Sequence, residues 1–283
     1  MIAQWDNKVM SSLMLYIDNR VLKTGKAFRN VDYATFYPVE SRYSGLWAYS
    51  LPYKQIVGDQ HVWNDGARSV TNILVDGTAI APGTDDMYGI LYHKGQVLFS
   101  TDQGSAVIQQ HVSIKEINVY ITTDLEEDLL LKTKYQVNPR TSHSLPPELK
   151  GLKDEEETYP AIFLKNMGGH NDPLCFGGAD NVKTMARAVI LADSAFSLDA
   201  VCNVLKDSAR KTLPIAENIP FNSIGAFTGV IYNYGSVATY ATDFATIWDV
   251  KVTKINPSEL KGLDKRVFPA VVDFEIHGYG RNT

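Results

Sequence analysis

The chain has 283 residues, 45% hydrophobic and 21% charged, with a formal net charge of -5. That composition belongs to a folded chain with room for one large domain or two ordinary ones, and it excludes a disordered one. The mildly acidic balance offers no basis for a nucleic-acid-binding surface, which needs clustered Lys and Arg against phosphates. The two cysteines, Cys175 and Cys202, are too few for a disulfide framework and point to a reducing assembly compartment. Asp6, Lys8 and Asp18 interrupt the first segment, so no signal peptide is expected. No run of about eighteen apolar residues occurs, so no membrane-spanning helix is expected.

Apolar residues at Trp5, Val9, Leu13, Tyr16, Ile17 and Val21 fit one face of a helix over 5–23, widened by Met10, Met14 and Leu15. Residues 30–70 are rich in aromatics and turn formers without a helical period, which predicts irregular loops and short strands. From 71 to 121 the pattern is a β-meander. Asp76-Gly77 between apolar runs marks a hairpin, because both turn residues need positive φ; Lys94-Gly95 marks a second. Val112, Ile114, Ile117, Val119 and Ile121 form one long β-rich run with a bulge near Lys115-Glu116. Residues 132–137 resemble a strand, and 138–158, rich in Pro and acid, a linker or exposed excursion.

Residues 159–164 resume as a strand, followed by a Gly-rich loop from Asn166 to Pro173. Thr184–Leu213 is the best-patterned unit. Ala186, Ala188, Val189, Ile190 and Leu191 predict a strand apolar on both faces. Leu198, Val201, Cys202, Leu205 and Ala209 predict a helix capped at Ser197 and stopped by Pro214. Residues 216–243, rich in Gly, Asn, Tyr and Thr, read as a long loop or exposed hairpin. Two closing strands follow. Trp248, Val250 and Val252 share a face in the first; Ala270, Val272, Phe274 and Ile276 share one in the second. The fold expected is α+β: a helix and β-rich hairpins over 1–137, the excursion 138–158, and a mixed sheet packed by an amphipathic helix over 159–283.

The sequence has no Walker loop, GxGxxG, GxSxG, HExxH or CxxC pair. Its six histidines are scattered, without a second His or Cys at ligand spacing. No catalytic residue, cofactor or metal is therefore expected. The richest polar cluster surrounds His170 and Asp172, two groups capable of acid–base work, although the same residues also read as a surface turn.

The order of strand, amphipathic helix, long tip and two closing strands resembles the tail terminator proteins of long-tailed bacteriophages. The resemblance covers residues 160–283. It rests on Arg187-Ala-Val-Ile-Leu, Leu198-Asp-Ala-Val-Cys-Asn-Val-Leu and Asp273-Phe-Glu-Ile-His-Gly. It implies a virion structural protein of the tail terminus or neck, not an enzyme, assembled in the bacterial host cytoplasm as a ring of six copies. Its partners would be further copies and proteins of the tail tube, sheath or neck. DNA would only pass through an acidic lumen, and no membrane would be contacted. The first 160 residues would be an added β-rich region. Interface residues expected from exposed aromatics and acid runs are Tyr232, Tyr234, Trp47, Tyr49, Glu155 and Glu156. The alternatives are a carbohydrate-binding or adhesion module of a phage tail, since exposed aromatics stack on sugars, and an enzyme with a dispersed site near His170.

Overall fold

The strands sort into two sheets joined by one long helix. The structure, a computed structural model, describes residues 5–126, 128–129, 158–173, 180–216, 220–222, 226–256 and 267–279. The expected strand at 132–137 and the excursion at 138–157 lie outside these residues. The fold is α+β and β-rich, as the sequence patterns indicate.

The first sheet contains β1 (Phe28–Val39), β2 (Trp47–Ser50), β3 (Ile73–Val75), β4 (Thr78–Ile80), β5 (Met87–Leu91), β6 (Gln96–Phe99) and β7 (Ile108–Lys115), in the order β4-β3-β7-β1-β2-β6-β5. Both predicted hairpins form. Asp76 and Gly77 take φ of 47° and 81°, the two positive values that a tight turn between β3 and β4 demands. Gly95 closes the β5–β6 hairpin at φ 62°, where a Cβ would sit 2.6 Å from the Tyr53 carbonyl oxygen. The expectation of irregular structure after residue 30 is corrected, because β1 is twelve residues long. Its alternation is broken where Val31 faces Val112 and Ala34 faces Gln110, leaving Asp32 and Tyr33 opposite His111 alone. Tyr33 takes the left-handed conformation there, at φ 48°. Phe36, Leu51, Ile73, Val97, Phe99, Ile108 and Val112 form the core of this sheet.

The apolar run from Val112 to Ile121 is two strands in different sheets, not one bulged strand. β7 ends at Lys115. The next strand, β8 (Asn118–Ile121), pairs in parallel with β9 (Ala161–Pro173) of the second sheet. That sheet adds β10 (Asp180–Ala192), β11 (Thr212–Ile215), β12 (Asp243–Lys254) and β13 (Phe268–Tyr279), in the order β11-β12-β13-β10-β9-β8. Every pairing but β8–β9 is antiparallel, so the sheet is mixed. The Gly-rich stretch from Asn166 is strand rather than loop: β9 continues past a register shift and keeps its pairing through Pro173–Asp180. β13 alternates as predicted, with Ala270, Val272, Phe274 and Ile276 buried. In β12 a register shift between Ile247 and Asp249 moves Trp248 to the opposite face from Val250 and Val252, against the shared face expected.

Four helices are described: α1 (Trp5–Lys23), α2 (Gln60–Trp63), α3 (Ala195–Lys206) and α4 (Tyr234–Tyr240). α3 starts earlier than predicted. Ser194 is its cap and accepts a hydrogen bond from the Ser197 N–H at 3.1 Å. It ends at Lys206, and Pro214 lies within β11. Leu198, Val201, Cys202 and Leu205 pack onto the second sheet together with α1. α1 has the predicted bounds but is buried nearly all round, Asp18 and Asn19 included. A break near 138 therefore does not separate the cores, because α1 and β8, both from the first 137 residues, belong to the C-terminal core. No helix among the described residues is long and apolar enough to cross a membrane.

Leu205 is fully buried between α3 and the sheet. Leu205→Asp buries a carboxylate among apolar neighbours and should cost at least about 3 kcal/mol. Thermal unfolding followed by circular dichroism reads this as loss of the folded baseline at 25 °C or a large drop in midpoint. An unchanged melting curve would contradict the placement of this helix face.

Candidate functional site

Where α1 passes from one sheet to the other, it carries a polar cluster in an otherwise apolar setting. The Asp18 carboxylate lies 2.6 Å from Lys115 Nζ at the end of β7, with both side chains at least 90% buried. The Tyr232 hydroxyl donates to the other carboxylate oxygen at 2.8 Å. One residue on, Asn19 Nδ2 donates to Asp59 Oδ2 at 2.7 Å. Asp59 Oδ1 accepts the His61 N–H at 2.9 Å, which caps α2, and the Tyr234 N–H at 3.0 Å. Lys23 Nζ lies 2.8 Å from His61 Nε2 and 3.4 Å from Asp65. Burial pushes the Asp59 carboxyl above the ordinary carboxylate range in spite of these donors. Burial, then the nearby Asp18 charge, holds the Tyr232 phenol well above its usual value, so it stays a donor. The network fastens α1, β7, the 59–61 turn and the 232–234 segment to one another.

Beside this network lies a cleft of about 610 Å³ between α1, β8 and residues 226–232. Met10, Met14, Val119, Ile121 and Phe227 supply apolar walls, and Asp18, Lys115 and Tyr232 the polar floor. With Asp18 already taken up by Lys115 and Tyr232, the floor is a clamp rather than a base awaiting a substrate. An apolar cleft with few polar groups is the usual form of a binding site. Among the described residues, no group of three His, Cys, Asp or Glu is placed to share a metal ion.

A second surface is the outer face of the second sheet, opposite the helices. Trp248 stacks flat on His277, with ring centroids 4.9 Å apart and planes inclined by 6°. The Arg210 guanidinium lies 3.8 Å over the Trp248 ring. His277 Nε2 is 2.6 Å from Glu275 Oε1. Further across the face, Arg187 pairs with Asp273 at 2.6 Å and with Glu126 at 2.8 Å. Asp172 pairs with Lys183 at 2.5 Å, which holds its carboxyl below the ordinary range; His170 stands 3.6 Å from Asp172. The His170–Asp172 cluster is thus an exposed ion-pair patch on β9 rather than a loop.

The six expected interface residues are scattered. Tyr232 and Tyr234 are buried in the junction, because 226–234 folds inward against α1 instead of forming an exposed tip. Tyr49 is also buried; its hydroxyl donates to Asp102 and accepts the Gln103 N–H, both at 2.8 Å. Trp47 is 50% exposed, as an interface residue must be. Glu155 and Glu156 lie outside the described residues. Asp18, Lys115 and Asp59 escaped the sequence reading. The signal present was Asp18 itself, a charge placed between Ile17 and Val21 on the apolar face. Comparison of the sequence with protein-family models and with curated proteins finds no match.

Removing one partner of a buried ion pair leaves the other charge uncompensated. Lys115→Met should destabilise the chain by about 3–5 kcal/mol at pH 7, read as a lower urea midpoint. Asp59 adds a pH dependence. Its folded pKa lies above the unfolded value near 4, so the folded state holds the proton more tightly. This contribution falls as pH rises from about 4 through the folded pKa and stays lost above it. Asp59→Asn lacks that titration. Its unfolding free energy should therefore gain on that of the wild type between pH 4 and pH 8. A difference constant across that range would contradict the assignment.

Proposed function

We propose that this chain is a ring-forming structural subunit of a phage virion, a tail terminator or neck protein that joins tail to head. The observation that carries this reading is that, among the exposed aromatics, which also include Tyr33, Tyr43, Phe196 and Tyr240, two groups stand on different sheets. Trp47 and Tyr88, the latter 68% exposed, stand at one end of the first sheet. Phe244 and Trp248 stand on the outer face of the second. A closed ring needs two different complementary patches on each subunit, because each contact is heterologous. Rigid aromatics are the usual anchors of such contacts, and Trp248, held between Arg210 and His277, meets that description at small entropic cost. Arg210 and His277 already stack on its ring, which favours the structural reading over the carbohydrate-binding one. The resemblance of residues 160–283 to tail terminators supplies the copy number of six and the neighbours: tail-tube, sheath or neck proteins. The net charge of -5 suits a ring through which DNA passes without adhering.

Single variants Trp47→Ala and Trp248→Ala should each abolish ring assembly on purified tails, while a mixture of the two should form heterodimers that do not close. Each variant keeps one intact patch, so a mixed pair makes one good contact. Sedimentation velocity and negative-stain images of tails read the result. Full-sized rings from either single variant, or a wild type that stays monomeric in the presence of tails, would overturn the reading.

A further inference from the structure

The two aromatic surfaces of the proposed ring subunit differ in charge. Trp47 lies in one row with Phe99 and Met87 across β2, β6 and β5. The turns at the ends of those strands carry Asp85, Asp86 and Asp102, all exposed. From Ala81 to Val107 Lys94 is the sole Lys or Arg, and it lies 5.3 Å over the Tyr43 ring. Arg42, in the turn before β2, has a partner of its own. Asp86 Oδ2 accepts from Thr101 Oγ1 at 2.8 Å. Asp102 Oδ1 accepts from the Gly104 N–H at 3.0 Å and the Tyr49 hydroxyl at 2.8 Å, which together hold its carboxyl below the ordinary range. None of the three carboxylates is paired with a cation among the described residues.

The Trp248 surface presents the opposite charge. Arg210 is exposed and its backbone is fixed: its N–H donates to the Ile247 carbonyl at 2.7 Å, and its φ is 62°. Its guanidinium lies 3.8 Å over the Trp248 ring. A guanidinium resting on an aromatic face keeps N–H donors at its rim, in the fork that matches a carboxylate. Those donors meet no carboxylate among the described residues. Glu275 is 2.6 Å from His277 instead, and Asp249, exposed beside Trp248, forms no ion pair there.

A contact between two copies can join like surfaces or unlike ones. Two Trp47 surfaces would set carboxylates against carboxylates, and two Trp248 surfaces would set Arg210 against Arg210. The unlike contact gives each charge a partner, and it is the heterologous contact that a closed ring repeats. Complementary charges steer such an encounter, and like charges suppress the wrong ones. We propose that Arg210 of one copy, seated on Trp248, pairs with Asp86 of the next copy, so that charge selects the ring over an isologous dimer. Asp85 and Asp102 strengthen the field that draws the guanidinium in. This pairing rests on the ring reading and goes beyond it, since it names the charges by which one copy recognises the next.

The test is assembly on purified tails, read by negative-stain images and sedimentation velocity, for the wild type, Arg210→Glu, Asp86→Lys and the double variant. Each single reversal should raise the protein concentration for half-maximal assembly at least about tenfold. The double variant restores opposite charges at every contact and should return that concentration to within about threefold of the wild type. Circular dichroism checks that each variant folds. A second readout needs no variant: raising NaCl from about 0.05 to about 0.5 M should slow wild-type ring formation at least about tenfold. Single variants that assemble normally, a folded double variant that does not recover, or a wild-type rate indifferent to salt would each overturn the pairing and leave the ring reading standing. A wild type that forms no ring on tails overturns the ring reading itself.

Discussion

The buried pair of Asp18 and Lys115 is the constraint on which the architecture turns. Each residue belongs to a different half of the molecule: Asp18 to the helix that completes the second sheet's core, Lys115 to the last residue of β7 in the first. Taking two charges out of water costs several kcal/mol per ion, recovered only where geometry and further hydrogen bonds are good. Here the carboxylate accepts from the ammonium and from a phenol whose own burial keeps it protonated. Such a pair need not add net stability. What it does is penalise every arrangement in which the two sheets sit in another register, because any slip strands a charge in an apolar interior.

Several features follow from that fixed junction. The chain can leave the first sheet after Lys115 and enter the second at Asn118 within two residues, because α1 already holds the two cores side by side. The short crossing places β8 at the sheet margin, where Gln55, itself in the segment that bonds Lys115 through its backbone, covers only the first half of the edge. The cleft is the gap left between α1 and that half-covered edge, with the ion pair as its floor. Asp59, held by the next residue Asn19, extends the fastening to the α2 cap and the start of α4. On the outer face of the second sheet Leu129 packs over Phe163, Val189 and Leu191, and the charges beyond that cluster pair across strands.

Sequence patterning revealed the elements whose pattern was set by simple burial. The turn residues marked the two hairpins, an unbroken apolar run marked β10 and alternation marked β13, while α1 showed its helical period although it is buried nearly all round. Periodicity misled wherever backbone irregularity changed the phase. The two-on-one bulge at Asp32-Tyr33 hid a twelve-residue strand, and the register shift at Trp248 sent an aromatic outward. The apolar character of Val112–Ile121 was uniform, although a switch of sheets lay within it. Long-range polar pairing was invisible for a different reason. Asp18 and Lys115 are 97 positions apart, and nothing local marks them as partners. Tyr232 and Tyr234 looked like an exposed loop because Gly, Asn and Tyr are common in loops. Their burial depends on α1 arriving from the other end of the chain.

The central claim is that one buried junction makes the two sheets a single cooperative unit. Native-state hydrogen exchange against urea tests it most directly, by comparing amides in the middle of β6 with amides in the middle of β10. Coupled sheets predict that both sets of amides share one opening free energy and one urea dependence in the wild type. In Asp18→Asn they should separate, with the first sheet opening at lower urea. Separate openings in the wild type, or a shared opening that survives Asp18→Asn, would contradict the coupling.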